Sequence, residues 1–384
     1  VNPETNFPPF DLARLFRTVF QPAPGERVAV LTDLFDPQEV VNLRFFERPG
    51  REVQRHARRL LYEGLLARKA ELGIESVSFF AYRETGGSNL DLPETALTPE
   101  GEEVPIREIF ARHTILLFMG RYSATAPATA LAKEFGVRGA TMHGVNETVI
   151  ATGLSVDYEQ VSARAERLRR ALTRADRARM EWAVPGRRKG PQTISLMIEL
   201  GRQEAQKSHG LVRTTGDIAN LPAGEVYFVP VGAEGLLPRK LEDESGTVAI
   251  YRVAEGRIVE LLEVVSGSEE AARAIADLAQ TDPATGTIGE LGLGTQSLPF
   301  AGADIQDEKI LGTAHLATGR SDHLGGPLGP ASFRDPRHAK HEDILYAPNK
   351  TPEIELVRVY FEKDGISTKV IERYRPEPVL AALL

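Results

Sequence analysis

The sequence predicts an N-terminal α/β domain with a mostly parallel sheet over residues 1–200, and an α+β, β-rich C-terminal domain over 201–384. Three observations predict it. Apolar, strand-like runs alternate with helix-spaced segments through the first half, as in a sheet covered by helices. Near residue 215 the texture changes to short strands and turns. The 384 residues suit more than one domain at roughly 100–200 residues each, and each is large enough to bury a core.

Taken in order, Val28–Thr32 is a short apolar run of the kind a buried strand needs. Arg51–Leu72 carries Leu60, Leu61, Leu65 and Leu66 at helical spacing. Val77–Tyr82 is again strand-like, and Thr114–Met119 is the strongest buried-strand run. Ala126–Phe135 predicts a helix that Gly136 ends, because glycine tolerates the left-handed cap conformation. Val137–Met142 is the next strand, and Val156–Met180 predicts a long helix. In the second half, Val248–Val253, Arg257–Val265, Ile354–Phe361 and Thr368–Arg373 predict strands. Glu269–Gln280 predicts a helix with Ser268 as its N-cap and two acids in its first turn, where the helix dipole favours them.

Composition excludes several classes. With no Cys there is no disulfide framework, zinc ribbon, Cys-ligated cluster or Cys nucleophile. No Gly-rich phosphate loop follows any strand. No apolar run reaches the length of a membrane span, and the first residues lack the basic and apolar blocks of a signal peptide, so the expectation is a cytoplasmic protein away from membranes. Net charge is −8, which argues against a nucleic-acid partner. Residues 164–189 hold ten Lys/Arg against Glu166, Asp176 and Glu181. Without interleaved aromatic residues, that stretch is read as a solvated helix face and a basic loop.

The chemistry-bearing residues lie in the second half. Four of the eight His, at 315, 323, 338 and 341, fall within 27 residues, among many acids. Imidazole and carboxylate together suit a hard or borderline divalent ion, which makes this the expected metal-binding domain. In His341-Glu342-Asp343 a strand would point His341 and Asp343 to one face and Glu342 to the other.

Four segments then resemble the thermophilic aminopeptidase family, the M29 metallopeptidases. They are Asn220-Leu-Pro-Ala-Gly-Glu-Val-Tyr, Ile288-Gly-Glu-Leu-Gly-Leu-Gly, the run from Asp307 through His315 to Gly319, and His341-Glu-Asp. The resemblance is specific over 215–345 and moderate over 138–180. It implies metal ligands at Glu225, Glu290, His315, His341 and Asp343, which would hold two divalent ions (zinc, cobalt or manganese). It also implies a homodimer. One position departs from the pattern: where the peptidases carry an active-site Tyr, this chain has Asp322, an alternative metal ligand or catalytic acid.

Two activities follow. A dinuclear aminopeptidase would activate water against the N-terminal peptide bond of short peptides, with Glu290 or a neighbouring acid moving the proton. Arg320, Lys309, His323 and Tyr346 are then the candidate oxyanion donors in place of the Tyr. The alternative is a ring-cleaving dioxygenase of the dihydroxypyridine type, with one Fe(II) on His315, His341 and Asp343. A metal-binding relative without peptidase activity is the third reading. The first half supplies only isolated His56, His113 and His143; the last follows a strand, where an α/β sheet often faces a ligand.

Overall fold

The structure, a computed structural model, describes residues 7–185 and 192–384. They form two compact units. The first comprises the described residues of Val1–Ser162 with His209–Ala223 and Ala303–Gln306; the second comprises those of Ala163–Ser208, Gly224–Gly302 and Asp307–Leu384. The division therefore departs from the expected break at residue 200. Strands Arg177–Val184 and Gln192–Glu199 hydrogen-bond into a sheet of the second unit, whereas Ile218–Asn220 returns to complete the sheet of the first.

The first unit is built on a seven-stranded sheet. Its order is Ile218–Asn220, Arg138–His143, Ile115–Gly120, Glu26–Leu34, Ile74–Arg83, Thr95–Leu97, Glu103–Pro105. The first five run parallel and the last two are antiparallel. Ile115–Gly120 is buried along its whole length, which explains the continuous apolar run read from the sequence. Helix Thr125–Phe135 ends at Gly136, in the left-handed conformation at φ 66°. The segment Glu52–Leu72 is helical but broken into short α and π turns. Leu61 and Leu65 are buried there, and Leu66 is exposed.

In the second unit two antiparallel sheets share one core. The smaller sheet has the order His341–Tyr346, Ala314–Gly319, Ile288–Gly294, Glu225–Phe228, Gln206–Ser208. The larger has eight strands, from Arg257–Ser266 at one edge to Arg375–Pro376 at the other. Val226, Phe228, Leu291, Leu293, Leu316, Ile344 and Tyr346 from the smaller sheet join Met180, Trp182, Leu196, Ile198 and Leu237 from the larger in one apolar cluster. Trp182 packs on Tyr346 with ring centroids 5.0 Å apart, and Phe228 on Phe361 at 6.0 Å. Helix Glu269–Thr281 is capped by Ser268, whose hydroxyl accepts from Ala271 N at 3.1 Å.

The expected helix over Val156–Met180 is corrected. The helix ends at Leu172, and Arg177–Val184 is a strand. Ala178, Met180, Trp182 and Val184 alternate with half-exposed neighbours, so a period of two overrides the helical one there. The arginines of this region pair with acids: Arg169 and Arg170 with Glu166, and Arg177 with Glu199 and Glu362. The basic residues 187–189 lie outside the described residues. Among the described residues no helix is long and apolar enough to cross a membrane.

Candidate metal centre

The smaller sheet has two unlike faces. Its cross-strand register aligns Glu225 with Gly294, Tyr227 with Gly292, Gly292 with His315, Glu290 with Ala317, Ala317 with Asp343, and Gly319 with His341. Residues opposite one another across a ladder share a face, as do alternate residues along a strand. Glu225, Tyr227, Glu290, His315, His341 and Asp343 therefore stand on one face. The other face carries the apolar side chains of the core. Sequence alternation alone produces this division, which brings four of the five strands to one constellation.

Two local devices adjust the face. A bulge between Ile288 and Glu290 shifts the register against Ala314–Gly319 and sets the aim of Glu290. A Cβ at Gly292 would overlap the imidazole of His315, and one at Gly294 would run into the backbone of Lys309 and Ile310. The glycines of the Ile288–Gly294 strand thus admit the imidazole and allow the Lys309 segment to approach.

The five predicted ligands gather into two overlapping groups. Glu225, Glu290 and His315 form one, and Glu290, His341 and Asp343 the other, the potential ligand atoms of each group lying within 4.8 Å of one another. His315 Nε2 is 3.6 Å from Glu225 Oε2 and 3.5 Å from Glu290 Oε1. His341 Nε2 is 3.0 Å from Glu290 Oε2 and 3.3 Å from Asp343 Oδ1. Glu290 thus turns one oxygen to each histidine. Glu308, His315 and Asp343 make a third such group.

The donor set fits a divalent ion. Nδ1 of His341 lies 2.6 Å from the Arg320 carbonyl, which can only accept, so Nδ1 carries a proton. Nε2 is then aimed at two carboxylate oxygens, which also only accept, so either a second proton or a metal ion belongs between them. Glu225 Oε2 and His315 Nδ1 are buried without a hydrogen-bond partner among the described residues.

The electrostatics carry the same signature. Burial pushes the Glu225 carboxyl up to about 7, against the pull of Lys309. Burial also opposes the charge on Glu290, but its bonds to His315 and His341 outweigh it and hold that carboxyl below the usual range. Burial opposes the charge on His315 too, yet Glu290 raises it to about 9. His341 is held high against burial by Asp343 and Glu290. Imidazoles gripped this way are poised to exchange a proton for a metal ion.

The remaining predicted residues are placed as follows. Asp322 is outside the three groups; it accepts from Arg320 Nε at 2.8 Å and is one-third exposed. His323 is buried edge-on to His341, with centroids 5.0 Å apart, and burial lowers its pKa. Lys309 reaches Glu225 Oε1 at 2.6 Å. Tyr346, expected as an oxyanion donor, is corrected: the strand's alternation turns it into the core, where its hydroxyl donates to the Pro238 carbonyl at 2.7 Å. Glu342 points away from the centre, as the strand geometry required, and pairs with Arg239 at 2.8 Å. In the first unit His56 lies 3.6 Å from Glu147, His113 contacts Ser78 and the Ile109 carbonyl, and His143 ends its strand.

Glu308 and Tyr227 were not singled out as site residues from the sequence. Tyr227 lies two residues after Glu225, so its place on the ligand face follows once that segment is known to be a strand. Glu308 sits beside Lys309 in a segment whose approach depends on tertiary packing, and no sequence period marks it.

No protein-family model matches the chain, and no curated protein matches it in sequence. Among solved structures it is similar to a 2,5-dihydroxypyridine dioxygenase from Pseudomonas putida KT2440. The TM-score is 0.57 at 14% identity, over 96% of this chain and 97% of that one. The likeness is one of fold.

Proposed function

We propose that this protein is a metal-dependent enzyme, a ring-cleaving dioxygenase that holds one Fe(II) on His315, His341 and Asp343 and acts on a small dihydroxylated aromatic ring. One observation carries the reading. Two histidines and a carboxylate stand on one face of adjacent strands, in a fold that a dihydroxypyridine dioxygenase shares over nearly its whole length. Two imidazoles and one carboxylate are the donor set of non-haem iron oxygenases, because they leave open positions.

Bound Fe(II) supplies the one-electron chemistry with dioxygen that side chains lack. The chain's own residues do the rest. The Arg320 carbonyl fixes the tautomer and orientation of His341. His323, kept neutral by burial, is suited to take a ring hydroxyl proton. The buried carboxylates of Glu225 and Glu290 face the Nε2 atoms of the imidazoles and supply the negative charge that favours a cation there.

The test is oxygen consumption by anaerobically purified, iron-loaded protein with 2,5-dihydroxypyridine and a panel of other dihydroxylated rings. Oxygen uptake coupled to loss of the ring chromophore is expected. Inert rings together with hydrolysis of aminoacyl anilides would support the second reading, a dinuclear aminopeptidase. That reading has an observation of its own: the two oxygens of Glu290 face different histidines, as a bridging carboxylate's would.

A further inference from the structure

The strands that carry the metal centre have a polar spot on their reverse side. Thr318 and Glu342 stand opposite one another across the ladder, next to the Ala317 and Asp343 pair, so they face away from the centre. Most of that reverse face is apolar core. Yet the Thr318 hydroxyl is buried there without a hydrogen-bond partner among the described residues, and a buried donor of that kind calls for an acceptor. Thr318 lines a cavity of about 70 Å³ that is partly open to solvent. Arg239, Arg337, His338 and Lys340 line it too, and Glu342 is the one carboxylate of the wall. Ile275 and Leu278, from helix Glu269–Thr281, supply an apolar side. We propose that this cavity is a binding site for a small oxyanion of the phosphate class.

Charge, donors and size carry this. Two guanidiniums and one ammonium face a single carboxylate, before His338 is counted. Behind the wall, Asp335 pairs with Arg337 at 2.5 Å and Asp282 with His338 at 3.0 Å, which offsets those two. Arg239 and Lys340 remain for a ligand. The pair of Arg239 with Glu342 uses Nη2, at 2.8 Å, and a guanidinium has five N–H donors. Lys340 acts on Glu342 through charge, without an ion pair between them. A metal ion would be repelled here, and a neutral ligand would satisfy the Thr318 hydroxyl without using the cations. A tetrahedral oxyanion does both, because it accepts on every side and these donors converge from three chain segments. The volume is well above what one water needs and far below the ~300–1,000 Å³ of a pocket for a whole small molecule. The open side leaves room for the organic part of a phosphate monoester to project outward.

This site goes beyond the reaction proposed above and does not depend on it. The test is calorimetric titration of the full-length protein with inorganic phosphate and with phenyl phosphate, in a buffer free of both phosphate and sulfate and at constant ionic strength. Saturable binding of one anion per chain is expected. Lys340→Met should weaken it about tenfold or more, since it removes a charged donor, and Thr318→Val about threefold or more, since it removes a neutral one. His315→Ala, on the metal face of the same strand, should leave it unchanged. Tighter binding of phenyl phosphate identifies a phosphate monoester as the ligand, and tighter binding of inorganic phosphate identifies the free ion; either order supports the site. No saturable binding of either form overturns the inference. So does binding that His315→Ala abolishes, which would put the anion at the metal centre, or binding that Lys340→Met leaves as tight as before. Lys340 is half-buried and outside the core, so its variant decides the matter even if Thr318→Val fails to fold.

Discussion

The smallest decisive feature is the room above one glycine. A methyl group at 292 would occupy the space of the His315 imidazole. Gly292→Ala is expected to weaken metal binding by about tenfold or more and to cost about 1–3 kcal/mol of stability, since an overpacked site must shift something. Competition with a chromophoric chelator and urea unfolding read the two effects separately. Tyr346 makes the opposite case. It lies one strand position beyond the ligand face, so Tyr346→Phe should cost about 1 kcal/mol through its lost bond to Pro238 and leave the metal content unchanged. A fall in metal content would place its hydroxyl in the centre after all. At this scale Glu225, Glu290, His315, His341 and Asp343, which gather on one face of the smaller sheet, were legible through their motifs, because each motif keeps its residue types and spacing. Asp322 was legible as an acid near the site but not as the partner of Arg320. Lys309 was legible as a cation near the site, but not as the partner of Glu225, because two segments far apart in the chain meet to form that pair.

At the scale of elements, period decided what could be read. The parallel strands of the first unit are uniformly apolar, and their runs stand out. Arg177–Val184 was missed because its polar alternates are arginine and glutamate, which suit a helix as well as a strand. The site strands were mostly hidden because their alternates on the site face are glycine, alanine, glutamate and histidine, all buried, rather than an exposed polar series. The end of the helix Tyr158–Leu172 is tied to the neighbouring strand by Glu166, which meets Arg169, Arg170 and Lys207. Its bond to Arg169 leads the set that holds this carboxyl below its ordinary value of 4.5. A carboxyl lowered in the folded state contributes stability that is complete above the unfolded value and is lost as pH falls below it. Glu166→Gln should therefore cost about 0.5–1 kcal/mol at pH 7, with the difference shrinking as pH falls from 4.5 towards 2. Urea midpoints across that range check it. A constant difference would mean that the carboxylate's charge is not what ties the helix.

For the whole molecule, the expectation of an α/β half followed by a β-rich half holds, with a more interleaved chain path than a single break near residue 200. The interleaving was not legible because Ile218–Asn220 is too short to show a period. The fold alone does not choose a reaction. The choice rests on the number and kind of ions that one face of a five-stranded sheet holds. His315→Ala and His341→Ala should each reduce bound iron to under about a tenth of the unsubstituted level, because each removes one of two imidazole donors. The most direct measurement is the iron content of the unsubstituted, full-length protein, purified and reconstituted without oxygen. About one Fe(II) per chain is the predicted result. Two zinc or cobalt ions per chain, with iron excluded, would contradict it and return the centre to dinuclear hydrolysis.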